Sequence, residues 1–225
     1  MPVAIDLFCG GGGVSRGLLA AGFDTVIGID VRPLARWYRA SGGRFVQGDA
    51  LRPPIDLSAA DFIWASPPCQ AYTVAGHLER SRGREYPDLI ESVREMLSAS
   101  GRPWAMENVP GAPIRPDLEL DGTMFPGLRV VRRRLFEVSG FRVPFRLTGR
   151  QPGLVRYGGF CSVVGSGICS GTPRTPDAVA AHRTDNQRRA MGIDWLPRRL
   201  LTQAVPPAYA EYIGRAAIAS MEDHP

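Results

Sequence analysis

From Pro2 to Ala105 short apolar runs alternate with helix-like stretches, and nothing else in the chain restricts its fold as tightly. The runs are Val3 to Phe8, Thr25 to Ile29, Arg44 to Val46, Asp61 to Ala65 and Pro103 to Met106. Between them, Ser15 to Ala21 stops at Gly22 and Arg32 to Ala40 stops before Gly42-Gly43, as expected where glycine closes a helix in the left-handed conformation. A longer helix is predicted from Pro87 to Ser100, with Leu89, Ile90, Val93, Met96 and Leu97 on one face and Gly101 behind it. This rhythm of strand, helix and strand builds a parallel sheet covered by helices, an α/β fold.

Residues 138–184 are different in kind. They are rich in glycine, proline and arginine, with fragments such as Gly159 to Val164 that favour strands and no sustained helical period. They are predicted to form a small β-leaning module between a main domain, 1–137, and a return to that domain, 185–225. The return is helical, and Pro206 to Ser220 spaces Tyr209, Tyr212, Ile213 and Ala216 for one buried face behind an opening proline.

A chain of 225 residues, 44% hydrophobic and 22% charged, suits one substantial self-folding domain and excludes disordered or collagen-like classes. The formal charge is +5, and all 27 basic residues are arginine. Guanidinium groups bind phosphates bidentately, so a polyanionic partner fits. The four cysteines follow no basic, apolar leader, and no apolar run approaches the ~20 residues of a membrane span. A cytoplasmic monomer with reduced thiols and no membrane contact is therefore expected.

Ligands of a parallel α/β sheet bind beyond the carboxyl ends of its strands. After the five runs come Cys9 with Gly10 to Gly13, then Asp30, Asp49, Pro67-Pro68-Cys69-Gln70 and Glu107-Asn108. The glycine run with an acidic residue about 20 positions later suits a nucleotide-like ligand, and by itself fits nicotinamide, flavin or S-adenosylmethionine equally. Asp49 could accept from an adenine amino group or simply sit in a solvated turn. Cys69, fixed by two prolines and followed by polar residues, is a candidate nucleophile, with a packed, inert thiol as the alternative. Glu107, ending an apolar strand, is placed to donate a proton, with a satisfied structural carboxylate as the alternative.

Taken together, order, spacing and identity resemble the cytosine-C5 DNA methyltransferase family. Asp6-Leu-Phe-Cys-Gly-Gly-Gly-Gly13 is similar to its first cofactor motif, Gly28-Ile-Asp30 to its ribose motif, and Ser66-Pro-Pro-Cys-Gln70 to its nucleophile loop. Glu107-Asn-Val109 matches the Glu-Asn-Val motif, and Arg132-Arg-Arg-Leu-Phe136 resembles the Arg-x-Arg segment before the target recognition region. Arg189-Ala-Met-Gly192 and Gln203-Ala-Val-Pro-Pro207 resemble the closing motifs. Three departures stand out: Thr202-Gln203 replaces the usual Gly-Asn, Val130 stands where glutamine often precedes the arginines, and the recognition region is short.

The resemblance implies a Rossmann-like class I methyltransferase sheet flanked by helices, and a small target recognition module. It implies S-adenosylmethionine held by Asp6, Phe8, Cys9, Gly10, Gly11, Gly12, Asp30, Val31, Asp49, Ala50, Pro67, Pro68, Gln203, Ala204 and Val205. Cys69, Glu107, Arg132 and Arg134 become the catalytic set, and Gln70, Asn108 and Arg133 substrate contacts. The implied reaction adds the Cys69 thiolate to C6 of a cytosine flipped out of double-stranded DNA, activating C5 for methylation. Eight arginines from Arg129 to Arg156 would offset the cost of flipping through phosphate contacts. No metal is expected, because Cys161 and Cys169 lack a second ligand pair, and His77 and His182 are read as surface groups. RNA cytosine methylation, a silent DNA-binding member of the fold and a nicotinamide dehydrogenase are the competing readings. The short module predicts a recognition site of roughly two to four base pairs. A compact, phage-like member fits, with any partner nuclease unknown.

Overall fold

The computed structural model describes residues 1–73, 81–83, 85–144 and 176–222, with side chains in the last range from residue 184 onward. Five strands, β1 (Val3–Leu7), β2 (Thr25–Asp30), β3 (Arg44–Gln47), β4 (Phe62–Ala65) and β5 (Trp104–Asn108), coincide within two residues with the five apolar runs. All five are parallel. Two more, β6 (Leu118–Leu120) and β7 (Arg134–Ser139), extend the far edge, giving the order β3-β2-β1-β4-β5-β7-β6 with β7 antiparallel to both its neighbours. The chain starts at the middle of this order and winds outward both ways, so β1 and β4 flank a switch point where a crevice opens.

The central strands are apolar along their length because both faces are covered. Phe62 and Trp64 of β4 face a core with Val14, Leu18, Phe136, Tyr209 and Ile213, while Ile63 and Ala65 face a second core with Ile5, Leu7, Ile90 and Val93. The first core lies under α1 (Gly13–Ala21) and the C-terminal helix, which pack closely across glycines. A Cβ at Gly17 would sit 2.1 Å from the Pro207 carbonyl oxygen, and one at Gly214 would sit 2.8 Å from the Ala21 Cβ. The second core is closed by the helix Ile90–Ala99.

The helix predicted for Arg32 to Ala40 is shorter, being α2 (Ala35–Tyr38) followed by a 3₁₀ turn at Arg39–Ser41. Pro33 disfavours helical backbone at Arg32, whose amide instead donates to the Asp30 carboxylate at 2.9 Å. The longer helix, α3, is Ile90–Ala99 rather than Pro87 to Ser100, because Asp88 accepts from the Ile90 amide at its entrance. The chain ends with α4 (Pro176–Met191), α5 (Arg198–Leu201) and α6 (Pro207–Glu222). Strand β7 continues to Ser139 and α4 begins at Pro176, so regular structure crosses both sequence boundaries, 137 and 184. Gly159 to Val164, Cys161, Cys169 and His77 lie outside the described residues, as does the side chain of His182. No described helix is long and apolar enough to cross a membrane.

Candidate active site

A cavity of about 320 Å³ opens at the switch point, lined from β1, β2, β4 and β5 and from the stretch between α5 and α6. One end is built by the turn after β1. Phe8 has φ +60, a left-handed conformation uncommon for a bulky side chain and of the kind found at ligand sites. Gly10 follows at φ +53, its amide donating to Asp30 at 2.9 Å. A Cβ at Gly13 would meet the Val205 carbonyl oxygen at 2.5 Å, and one at Gly11 would meet Leu196 at 2.4 Å. The glycines therefore let the closing segment settle directly on the loop.

Trp195, not singled out in the sequence, donates from Nε1 to the Gly11 carbonyl at 2.9 Å and lies 5.1 Å beneath the Arg16 guanidinium. Gly12 does not reach the cavity. It turns away under Ser41 and Tyr38, so its role is conformational.

Asp6 lines this end and is fully buried. Its Oδ2 accepts from Ser15 Oγ at 2.5 Å, and that hydroxyl is linked to Tyr38, but Oδ1 has no hydrogen-bond partner. Burial is the main reason its carboxyl is pushed up to about 7, and the Asp30 carboxylate adds to the effect. Cys9 is buried beside it, its thiol pushed up by the same burial and by both carboxylates, which makes it inert.

Asp30 is engaged by Arg32, whose Nε and Nη2 each approach at 3.1 Å. Arg32 Nη1 also reaches Gln203 Oε1 at 2.8 Å, so the Gln203 that departs from the family pattern closes a bridge across the mouth. Val31 is strongly exposed at the rim, and Asp49, with Ala50, lines the cavity while its carboxylate caps the Leu51 amide and meets Arg52.

The other end holds Pro67, Pro68, Cys69, Gln70 and Glu107. The proline loop is fixed from below, where Trp64 Nε1 donates to Ser66 Oγ at 2.9 Å and Asn108 Nδ2 donates to the Pro67 carbonyl at 3.0 Å. Asn108 thus holds the loop rather than lining the cavity. Burial pushes the Cys69 thiol up and the Glu107 carboxylate pushes it further, while Arg134 and Arg132 pull it down. Gln70 Oε1 is buried without a partner among the described residues.

The antiparallel register pairs Glu107 with Phe136, so β7 enters the sheet at the rim where β5 leaves it. This places Arg134 Nε 2.7 Å from Glu107 Oε1, with side chains 12% and 7% exposed. Glu107 is therefore one half of a buried ion pair. Arg132, 4% exposed, bonds the Thr202 carbonyl at 2.8 Å, and burial pushes its guanidinium down to about 9.

The expectation that the arginine cluster faces phosphate needs correcting for these positions. Arg132 is buried, Arg134 is paired inward, and Arg133, placed in the sequence with the substrate, points the other way to Glu119 on β6.

The sheet order and its flanking helices define a Rossmann-like α/β fold. A prophage-encoded E. coli protein solved as a candidate DNA modification methyltransferase superposes with a TM-score of 0.59 at 14% identity, covering 99% of this chain and 100% of that one. The family model for C-5 cytosine-specific DNA methylases matches residues 3–114, and the chain belongs to that family. Its curated relatives include the type II methyltransferases M.HgiDI of Herpetosiphon aurantiacus and M.AquIA of Picosynechococcus. The first is 33% identical over 113 residues, 47% of this chain and 36% of that protein. The second is 30% identical over 122 residues, 48% of each. A third, M.XorII of Xanthomonas oryzae, is 29% identical over 131 residues, 50% of this chain and 29% of that protein. The matched region is less than half of each relative.

The family's methyl donor is S-adenosylmethionine. The cavity fits that group: Asp6 keeps a buried carboxylate oxygen with no partner, suited to a cationic ligand, and the glycine turn leaves the backbone open to close approach.

Proposed function

We propose that the chain methylates carbon 5 of cytosine in DNA, with Cys69 as the covalent nucleophile. The observation that carries this reading is the placement of Cys69 and Glu107 at one end of a cavity whose other end is the glycine turn, with Arg134 paired to Glu107 from behind. Asp6, Asp30 and the backbone from Phe8 to Gly11 would hold the donor, with Val205 and Gln203 across from them. When bound, S-adenosylmethionine supplies an electrophilic methyl group.

The residues of the chain do the rest. The Cys69 thiolate forms a bond to C6, and electron density moves through the ring toward C5 and N3, where Glu107, once it has taken up a proton, can place it. Arg134 orients the Glu107 carboxyl and favours the thiolate. After C5 carries its methyl, the C5 proton leaves to a base, the S–C6 bond breaks and the N3 proton returns to Glu107, regenerating the thiolate and restoring the neutral aromatic ring. A base inside a duplex cannot be reached by Cys69, so the target cytosine must leave the stack. The segment between β7 and α4 is proposed to contact the flanking bases.

The direct test is incubation of the purified protein with methyl-labelled donor and unmethylated DNA or transfer RNA, followed by mass identification of labelled nucleosides. 5-Methylcytosine in DNA, absent with Cys69→Ala, is the expected result. Label confined to transfer RNA would move the substrate to RNA. No label in either, with donor binding intact, would leave a DNA-binding member of the fold.

A further inference from the structure

Tyr209, on the first turn of α6, has no part in the machinery described above, yet it touches that machinery from beneath. Its side chain is fully buried, and its hydroxyl donates to the main-chain carbonyl of Arg132 at 2.7 Å. Its ring stacks on Phe125 with centroids 5.0 Å apart and meets Phe136 edge-on at 6.3 Å. Phe136 is the register partner of Glu107. One side chain therefore contacts both the entry to β7 and the strand position opposite the proposed proton donor.

A second tie comes from the same part of the chain, because Arg132 Nη2 donates to the Thr202 carbonyl. Arg132 is thereby held at its carbonyl by α6 and at its guanidinium by the stretch just before α6. Arg134, two residues on, reaches Glu107 from this fixed start. Burial raises the Tyr209 phenol far above its ordinary range, so the hydroxyl keeps its proton and remains a donor at every working pH.

We propose that Tyr209 is a positioning residue for catalysis: its hydroxyl fixes the Arg132–Arg134 stretch so that Arg134 meets Glu107 beside Cys69. This rests on the cytosine-methylation reading above. The carbonyl it serves is buried, and a buried carbonyl that loses its donor seeks another, which a local backbone shift provides. A shift at Arg132 is carried to Arg134, and the charge around Cys69 changes with it. The charged groups acting on Cys69 are Glu107, which disfavours the thiolate, and Arg134 and Arg132, which favour it.

Tyr209→Phe removes the hydroxyl and keeps the ring, so the aromatic packing persists. Tyr212→Phe is the matched control, since Tyr212 lies on the same helix and its hydroxyl bonds the Pro144 carbonyl instead. Three measurements are made on both variants and on the unaltered protein: kcat and KM for DNA methylation, the pH midpoint for alkylation of Cys69 by iodoacetamide read on its own peptide by mass, and the melting temperature.

For Tyr209→Phe the expected result is kcat about tenfold lower, KM for DNA and donor within about twofold, and a Cys69 midpoint moved to higher pH, with Tyr212→Phe unchanged in all three. A lower melting temperature with kcat and the Cys69 midpoint both unmoved would make the hydroxyl merely structural and overturn the proposal. If the unaltered protein methylates nothing, the function reading fails. The alkylation midpoint still decides whether Tyr209 sets the charge environment of Cys69.

Discussion

Asp30 and Glu107 end parallel strands of one sheet, and each receives an arginine, yet the two ends of the cavity hold their carboxylates in different ways. Arg32 is two residues from Asp30, with its side chain 44% exposed, and it shares its guanidinium with Gln203. Arg134 comes from a separate strand, and both it and Glu107 are nearly removed from water. The first pair is local, a buried carboxylate with a half-solvated guanidinium, and a ligand hydroxyl can compete for it. The second is built by sheet register and fixed by its surroundings, as a group that must meet a ring atom in one geometry requires. Asp6 is a third case, a buried carboxylate with no cation beside it.

The sharpest way to break this comparison is to remove the buried cation. Arg134→Ala leaves Glu107 in its buried place without a partner, which typically destabilises a fold by about 3 to 5 kcal/mol. The lost orientation is expected to lower kcat by about two orders of magnitude. Donor affinity should change little, since Arg134 does not line the cavity. Methylation rates and donor titration calorimetry on the same variant separate the two effects. A rate within threefold of the unaltered protein would mean that Glu107 needs no partner and that the two ends do not differ in kind.

The cofactor end was legible in the sequence to a degree that the nucleophile end was not. Strands β1 to β5 carry apolar residues on both faces, so their runs stand out, and the rule that ligands gather past strand ends located Gly10, Asp30, Cys69 and Glu107 together. Strand β7 was missed because its sequence, Arg-Leu-Phe-Glu-Val-Ser, has no apolar run. The charge within it, Glu137, is 1% exposed and is satisfied by Arg94 and the Arg115 amide, from residues far away in the chain. β6 is three residues long and leaves almost no pattern. Arg32 falls close to Asp30 in sequence, but its contact with Gln203 spans 171 positions. The partners of Trp195 and of the Tyr209 hydroxyl are hidden for the same reason, since each is a main-chain oxygen that only the folded chain brings near, although the burial of Tyr209 shows in its helical spacing.

Asp6 gives the second test, through pH. Its folded pKa of about 7 stands above the unfolded value near 3.8, so the folded protein binds this proton more tightly. The associated stability is fully present below the unfolded pKa and is lost as pH rises through about 7. Asp6→Asn cannot ionise and still accepts from Ser15. It should melt much like the unaltered protein near pH 4 and become more stable as pH rises, by about 4 kcal/mol at pH 8. Melting curves at intervals from pH 4 to pH 8 measure the divergence. Parallel curves would show that a cation or donor already satisfies Asp6 in the free protein, and the contrast with Glu107 would disappear.

The smallest effect is predicted for Arg32→Ala, and its smallness is what carries the information. Half-exposed ion pairs contribute on the order of 0 to 1 kcal/mol, so the melting temperature should hardly move. Asp30 would keep its bond from the Gly10 amide and gain a free edge, while the bridge to Gln203 would be lost. These changes oppose one another for a ligand with ribose hydroxyls, and the dissociation constant for the donor is expected to stay within about fivefold. Calorimetric titration of both proteins at low and high salt distinguishes the contributions, because the part of the salt dependence that differs between them reports the Arg32 charge. A loss of affinity beyond tenfold would mean that Arg32 binds the donor itself, and the cofactor end would then be as firmly built around its arginine as the nucleophile end is around Arg134.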